Sequence, residues 1–224
     1  MTAFIGMKFS DGVLFTADKR AMFNNGETSD DIKNSFINEK VILGCVGKGN
    51  VYNSSLKDLR SFAKNNNDPI KIYQRAVLLF KKNMKIFKEQ FPDQKCIIIF
   101  FLGGFDKEEK PFFFGTSSEG EEFDEIKSFE MAFKVEPPTE EEKVKKYLGY
   151  KIEQFANFKN VEDFVLTFSE AIRNIDNKKV SQSTYSVYLS TQGFYKFEVE
   201  DDGVLVNTER IYSNNFFNDD DKLF

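Results

Sequence analysis

The chain has 224 residues, a net charge of −5, 27 phenylalanines and no histidine or tryptophan. Without histidine, Ser-His-Asp and Cys-His mechanisms are excluded, and with only two cysteines zinc sites built from His and Cys are nearly excluded as well. Scattered basic residues argue against a nucleic-acid surface, and the longest apolar run, Cys96 to Phe105, is too short to cross a bilayer. We expect a cytoplasmic protein with reduced cysteines and no metal, cofactor, nucleic-acid or membrane partner.

The first fifty residues are predicted to form short strands. Apolar runs at Ala3 to Phe9 and Val13 to Ala17, separated by the turn residues Ser10 to Gly12, predict a β-hairpin. Two further strands are predicted over 34–37 and 40–46.

Helical spacing of apolar residues begins after Gly49. One helix is predicted from Val51 to Phe62, and a second opens with Asp68 as N-cap and Pro69 in its first turn. The apolar face of this second helix keeps its period over about four turns. Strands are then predicted over 95–102, 111–116 and 126–135.

The second half of the chain predicts another pair of helices. Pro137 and Pro138 mark a break, and Thr139 and Glu142 have the spacing of a capping box for a third helix. A fourth helix is predicted to begin near Asn160, with acidic residues in its first turn. The last predicted strands cover 184–190 and 194–199.

This order of elements predicts the fold. Two helix pairs inserted into a mostly antiparallel sheet system indicate an α+β protein, a four-layer αββα sandwich with two sheets face to face and the helices outside. We assign residues 1–213 to a single domain and residues 214–224 to an acidic C-terminal tail.

The start of the chain offers a base that needs no histidine. Met1 is followed by Thr2, and removal of a methionine before such a small residue exposes an α-amino group beside the threonine hydroxyl. An α-amino group has a pKa near ~7.7–8.0, so a good fraction is neutral at pH 7. Such an amine can activate its own residue's hydroxyl as a nucleophile.

The sequence after Thr2 carries a set of spaced motifs. An Asp-Gly turn follows at Asp11, then Ala-Asp-Lys-Arg-Ala at 17–21, then Lys33 and, at the end of a strand, Val46-Gly47. With these motifs the first third of the chain resembles proteasome β-type subunits, which are N-terminal nucleophile (Ntn) hydrolases.

The resemblance implies roles for individual residues. Thr2 corresponds to the nucleophile, Asp18 to the catalytic aspartate, and Lys33 to the catalytic lysine once one residue is taken as missing from the preceding turn. A lysine ammonium beside Thr2 favours the neutral amine and the ionised hydroxyl, and Asp18 holds the lysine in place. Gly47 can present its backbone N–H to the developing oxyanion.

The same register implies supporting residues, which we name with their roles. The small residues predicted to line a neutral substrate pocket are Ala21, Cys45 and Gly49. The residues predicted to support the site are Arg20, Asp176 and Ser181. The chain departs from the family pattern at 133–138, where the family has a Ser-Gly-Ser loop and this sequence has no serine, and Ser181 matches only with an insertion.

The resemblance implies a hydrolase, specifically a threonine protease. It would be a peptidase or amidohydrolase that acts on a peptide or protein through an acyl-Thr2 intermediate after Met1 is removed. It also implies a homo-oligomer, a ring or a dimer, and leaves any ATPase or regulator unidentified. One alternative is a connectase-like transpeptidase or ligase that passes the acyl group to an amine. A second is a non-catalytic scaffold subunit, in which Asp18 and Lys33 form a buried ion pair that fixes the sheets.

Overall fold

The computed structural model describes residues 2–22, 28–30, 33–119, 122–136, 138–175 and 180–211. Within these ranges the strands are β1 (Thr2–Lys8), β2 (Gly12–Asp18), β3 (Arg20–Met22), β4 (Thr28–Asp30), β5 (Asn34–Asn38), β6 (Val41–Gly47), β7 (Ile98–Phe105), β8 (Pro111–Glu119), β9 (Glu122–Phe123), β10 (Lys127–Ser128), β11 (Met131–Glu136), β12 (Thr184–Ser190), β13 (Gly193–Val199) and β14 (Leu205–Ile211). The α-helices are α1 (Gly49–Ala63), α2 (Pro69–Gln90), α3 (Glu141–Lys151) and α4 (Val161–Arg173). Short 3₁₀ turns at Pro138–Glu140 and Ile152–Asn157 flank α3.

The strands form two large antiparallel sheets. In the first sheet the order is β11-β1-β2-β12-β13-β14, so the N-terminal strand lies one position in from the edge. In the second sheet the order is β10-β8-β7-β6-β5, and β9 pairs with β8. A separate ribbon is formed by β3 and β4.

Three apolar cores separate four layers. One lies between α1–α2 and the second sheet, one between the two sheets, and one between the first sheet and α3–α4. Strands β6 and β7 contribute alternate side chains to the first two of these cores, so β7 is buried along its whole length. The four-layer αββα sandwich predicted from element order is therefore confirmed.

The core between the sheets is built largely from phenylalanine. Phe4 of the first sheet stacks on Phe101 of the second, with ring centroids 4.4 Å apart, and meets Phe15 edge-on at 5.1 Å. Gly44 allows this close approach, because a Cβ there would lie 2.4 Å from a carbon of the Phe4 ring. The sheets thus meet closely next to the start of β1.

Two helix starts follow the sequence prediction and one does not. The Asp68 carboxylate accepts hydrogen bonds from the Ile70 and Lys71 nitrogens at the start of α2, and Asn160 accepts one from the Asp163 nitrogen at the start of α4. The capping box predicted at Thr139 and Glu142 is wrong. A 3₁₀ turn occupies 138–140 instead, and α3 begins without a side-chain cap.

The single strand predicted over 126–135 is also wrong, because the chain changes sheets within it. Lys127–Ser128 pairs with β8 in the second sheet, whereas Met131–Glu136 pairs with β1 in the first. Strand β14 was not predicted, because four consecutive polar residues, Asn207 to Arg210, interrupt its apolar positions.

Some predictions concern residues outside the described ranges. The acidic tail at 214–224 and the domain boundary at 213 both fall there. Within the described part of the chain, no helix combines the length and the apolar character that crossing a membrane requires.

Candidate active site

The β1–β2 hairpin brings the start of the chain to Asp18. Phe4 lies opposite Ala17 in the antiparallel register, so Asp18 ends β2 beside the first residues of β1. Its Oδ1 accepts a hydrogen bond from the Ala3 nitrogen at 2.8 Å. Thr2, the residue before Ala3, is only 2% exposed.

The Asp18 carboxylate is buried and accepts four hydrogen bonds. Oδ1 receives the Ala3 nitrogen and the Lys33 ammonium, each at 2.8 Å. Oδ2 receives the backbone nitrogens of Arg20 and Ser181, each at 3.2 Å. Hydrogen bonds to the charged form stabilise a carboxylate that burial alone would disfavour. Asp18 therefore joins the N-terminal strand to two distant segments of the chain.

Lys33 is fixed at both ends. Its ammonium contacts Asp18 Oδ1 and the Arg20 carbonyl oxygen, the latter at 2.6 Å, and its side chain is 8% exposed. Its own carbonyl oxygen accepts a hydrogen bond from the Cys45 nitrogen at 3.1 Å, which attaches it to β6. Because the ammonium and the Ala3 nitrogen share one oxygen, the lysine lies next to the peptide that follows Thr2. The structure thus brings Thr2, Asp18 and Lys33 together.

The supporting residues act mainly through their backbones. Arg20 donates its N–H to Asp18 and accepts the Lys33 ammonium at its carbonyl. Ser181 donates its N–H to Asp18, while its hydroxyl oxygen accepts from the Ser183 nitrogen at 3.2 Å. Strand β12 places Ser181 here, since its first residue pairs with Asp18. Asp176, the remaining predicted supporting residue, lies outside the described residues.

Gly47 ends β6 in a conformation that suits glycine. Its φ is +142°, a region that residues with a side chain rarely adopt, and a Cβ would lie 2.2 Å from the Ile97 carbonyl oxygen. Gly47 is exposed, and its strand packs across the inter-sheet core from β1. Local structure alone therefore accounts for a glycine at this position, and its predicted role at the oxyanion stays a prediction.

The three predicted pocket residues lie in three different parts of the fold. Cys45 is 4% exposed and packs in the core under α1 and α2, while Gly49 is the half-buried first residue of α1. The Ala21 backbone pairs with Ser29 in the β3–β4 ribbon, and its side chain is outside the described part of the structure. A substrate pocket formed by these three residues stays a prediction.

Other candidate groups are structural. Burial raises the pKa of the Cys96 thiol, although Lys48 and Lys88 oppose the shift, so Cys96 is predominantly an un-ionised core residue. Among the described residues, no group of three or more Cys, Asp and Glu side chains is arranged to hold a metal ion.

One residue beside the site carries no local sequence signal. Glu136, the last residue of β11, lies directly opposite Thr2 in the β1–β11 register. Glu136 lies in the segment 133–138 where the chain departs from the family pattern, but its pairing with a strand more than a hundred residues away cannot be deduced from local pattern, so sequence reasoning gave it no role.

Comparison with known proteins identifies a family for most of the first 130 residues. The model of one protein family, described as proteasome subunit, matches residues 2–129. The matched range contains Thr2, Asp18, Lys33 and Gly47 and ends just before β11. No curated protein matches the chain.

Proposed function

Because the chain belongs to the proteasome subunit family, we propose that it is an Ntn hydrolase whose nucleophile is the hydroxyl of Thr2. The substrate is an amide bond of a peptide or protein. The nucleophile requires cleavage of the Met1–Thr2 bond, which supplies a free α-amine. The observation that carries the proposal is the shared Asp18 oxygen, which holds the Lys33 ammonium against the first peptide of β1.

The proposed reaction divides into two transfers of an acyl group. The α-amine of Thr2 takes the hydroxyl proton while Oγ forms a bond to the substrate carbonyl carbon. The oxyanion accepts the Gly47 N–H, and the Lys33 ammonium stabilises negative charge near Oγ. The C–N bond then breaks, and the leaving nitrogen takes the proton from the α-ammonium. Acyl-Thr2 and a free amine result.

The second transfer restores the enzyme. Water attacks the ester carbonyl and gives its proton to the α-amine, and the C–Oγ bond breaks as Oγ regains that proton. The products are a carboxylic acid and free Thr2. An added amine in place of water would instead form a new amide, which is the ligase alternative.

The first experiment separates processing from chemistry. The full chain is prepared in two forms, one beginning with Met1 and one released from a fusion so that it begins with Thr2. Each is treated with a β-lactone or epoxyketone probe and analysed by intact and peptide mass spectrometry. We expect an adduct on Thr2 of the Thr2-first chain, none with Thr2→Ala, and a retained adduct with Thr2→Ser.

The outcomes divide the three functions. An unlabelled Thr2-first chain that is folded would overturn the proposal and favour a scaffold subunit. For a labelled chain, product analysis with an added peptide amine distinguishes hydrolysis from ligation.

The proposal extends to assembly and location. As the family's members usually form rings, we propose a homo-oligomer, a ring or a dimer, acting in the cytoplasm. Light scattering after size-exclusion chromatography tests the assembly, and a monomer at micromolar concentration would contradict it.

A further inference from the structure

Backbone hydrogen bonds identify the strand that each nitrogen of β1 faces. The Ala3 nitrogen donates toward β2, to Asp18, whereas the Lys8 nitrogen donates to the Glu130 carbonyl oxygen at 2.7 Å, next to β11. Consecutive N–H groups of a strand point alternately to its two neighbours. Thr2 is an even number of residues from Lys8, so its nitrogen faces β11.

The register then places one residue of β11 opposite that nitrogen. The β1–β11 pairing runs without a shift from Thr2–Glu136 to Met7–Met131. Directly opposite residues project from the same face of the sheet, with Cβ atoms about 4.5–5.5 Å apart. The half-buried Glu136 side chain is therefore on the same face as the Thr2 hydroxyl and within reach of the Thr2 nitrogen.

The nearby cations are held by other carboxylates. Lys134, two residues before Glu136, has its ammonium 2.8 Å from Glu141, and Lys33 has its ammonium on Asp18. Within the described residues, the Glu136 carboxylate takes part in no hydrogen bond or ion pair. A new cation on Thr2 would therefore offer a partner to a carboxylate that has none among the described residues.

We propose that the Glu136 carboxylate accepts a hydrogen bond from the α-ammonium of Thr2 and holds that nitrogen beside the Thr2 hydroxyl. This inference rests on the threonine mechanism proposed above. Pairing with β11 uses one hydrogen of the ammonium, which leaves others for a side-chain acceptor. Glu136 is thus a positioning residue. It stabilises the ammonium form of Thr2, which holds the proton after the nucleophile has attacked and before the leaving group takes it.

The charge of Glu136 has a measurable consequence. The carboxylates of Glu136 and Asp18 favour the ammonium form of Thr2, whereas the Lys33 ammonium favours the neutral amine, and Lys134 is offset by Glu141. Removing one carboxylate lets the amine lose its proton at lower pH. We expect Glu136→Gln to move the acid limb of the activity profile down by about one pH unit.

The experiment uses Thr2-first chains of wild type, Glu136→Gln, Glu136→Asp and Glu130→Gln. Glu130 precedes the other end of β11 and pairs with Lys8 on the surface, so its variant is the matched control. Two quantities are followed from pH 5 to 9: the rate of probe addition to Thr2, and the rate of acetylation of the terminal amine, measured by peptide mass spectrometry. The acetylation rate reports the protonation of the terminal amine and does not depend on catalysis.

We expect both profiles to shift downward in Glu136→Gln and to stay close to wild type in Glu136→Asp and Glu130→Gln. Labelling of Thr2 with unshifted profiles in Glu136→Gln would overturn the role of Glu136 and leave the threonine mechanism standing. A shifted acetylation profile without any probe labelling would support the Glu136 contact and overturn the catalytic function.

Discussion

Replacing Asp18 by asparagine tests whether its carboxylate organises the site. Both oxygens are used, Oδ1 by the Ala3 nitrogen and the Lys33 ammonium, Oδ2 by the nitrogens of Arg20 and Ser181. An asparagine keeps one oxygen and turns an NH₂ group toward two donors. Because Asp18 is 1% exposed, water cannot compensate, and we expect Asp18→Asn to lose about 3–5 kcal/mol of unfolding free energy.

The partner variant Lys33→Met should cost less. It removes one of four donors, and three backbone N–H groups still bind the buried carboxylate, so we expect a loss of about 1.5–3 kcal/mol, typical of a hydrogen bond to a charged group. In the double variant the asparagine no longer faces a buried ammonium. The double variant should therefore lose less unfolding free energy than the sum of the two single variants, by about 1–3 kcal/mol.

The assay is urea unfolding followed by circular dichroism, since the chain has no tryptophan. Asp202→Asn, an exposed aspartate that accepts one backbone hydrogen bond, is the control and should unfold at the wild-type urea concentration. A loss below about 1 kcal/mol in Asp18→Asn, or additive losses in the double variant, would refute the reasoning.

Two further predictions concern stability. Gly47→Ala should lose about 1–3 kcal/mol from its backbone conformation alone, with more from contact with the Ile97 carbonyl, as measured by urea unfolding; wild-type stability would contradict the observed φ. Burial and the Asp11 carboxylate raise the pKa of Tyr188 above its ordinary 10.0. Because the folded state keeps the Tyr188 proton to a higher pH than the unfolded state does, the phenol contributes its full stabilisation below pH 10. As pH rises further, the unfolding free energy falls by up to about 1.4 kcal/mol per pH unit. The unfolding free energy of Tyr188→Phe should fall less steeply between pH 9 and 11, and equal slopes would exclude this source.

Local signals in the sequence determined many of the elements. Asp68 caps α2 as predicted, and α4 begins where predicted, with Asn160 as its cap, because helix starts depend on residues within one turn. The predicted strand at 184–190 has the bounds of β12. By contrast, the segment at 126–135 has one continuous pattern but pairs with two different sheets. That division depends on where distant strands lie, which no local pattern contains.

The site shows the same division between local and distant information. Asp18 and Lys33 were found because motif spacing along the first third of the chain fixes their place relative to Thr2. A supporting role for Ser181 was expected only by resemblance, and Glu136 was given no role, although it lies in the segment 133–138 that departs from the family pattern. Glu136 ends β11 and Ser181 lies just before β12, and these strands pair with β1 and β2 after more than a hundred intervening residues.

The Asp18 contacts also affect how large-scale mutagenesis of this protein should be interpreted. One side chain fastens the N-terminal strand, the segment before β5 and the segment before β12. A variant library scored only by cellular abundance would mark Asp18 and Lys33 as intolerant to change even in a protein that catalyses nothing. The Thr2 hydroxyl takes no part in these contacts. Substitutions that preserve cellular abundance but abolish turnover will therefore identify residues needed for catalysis rather than for folding.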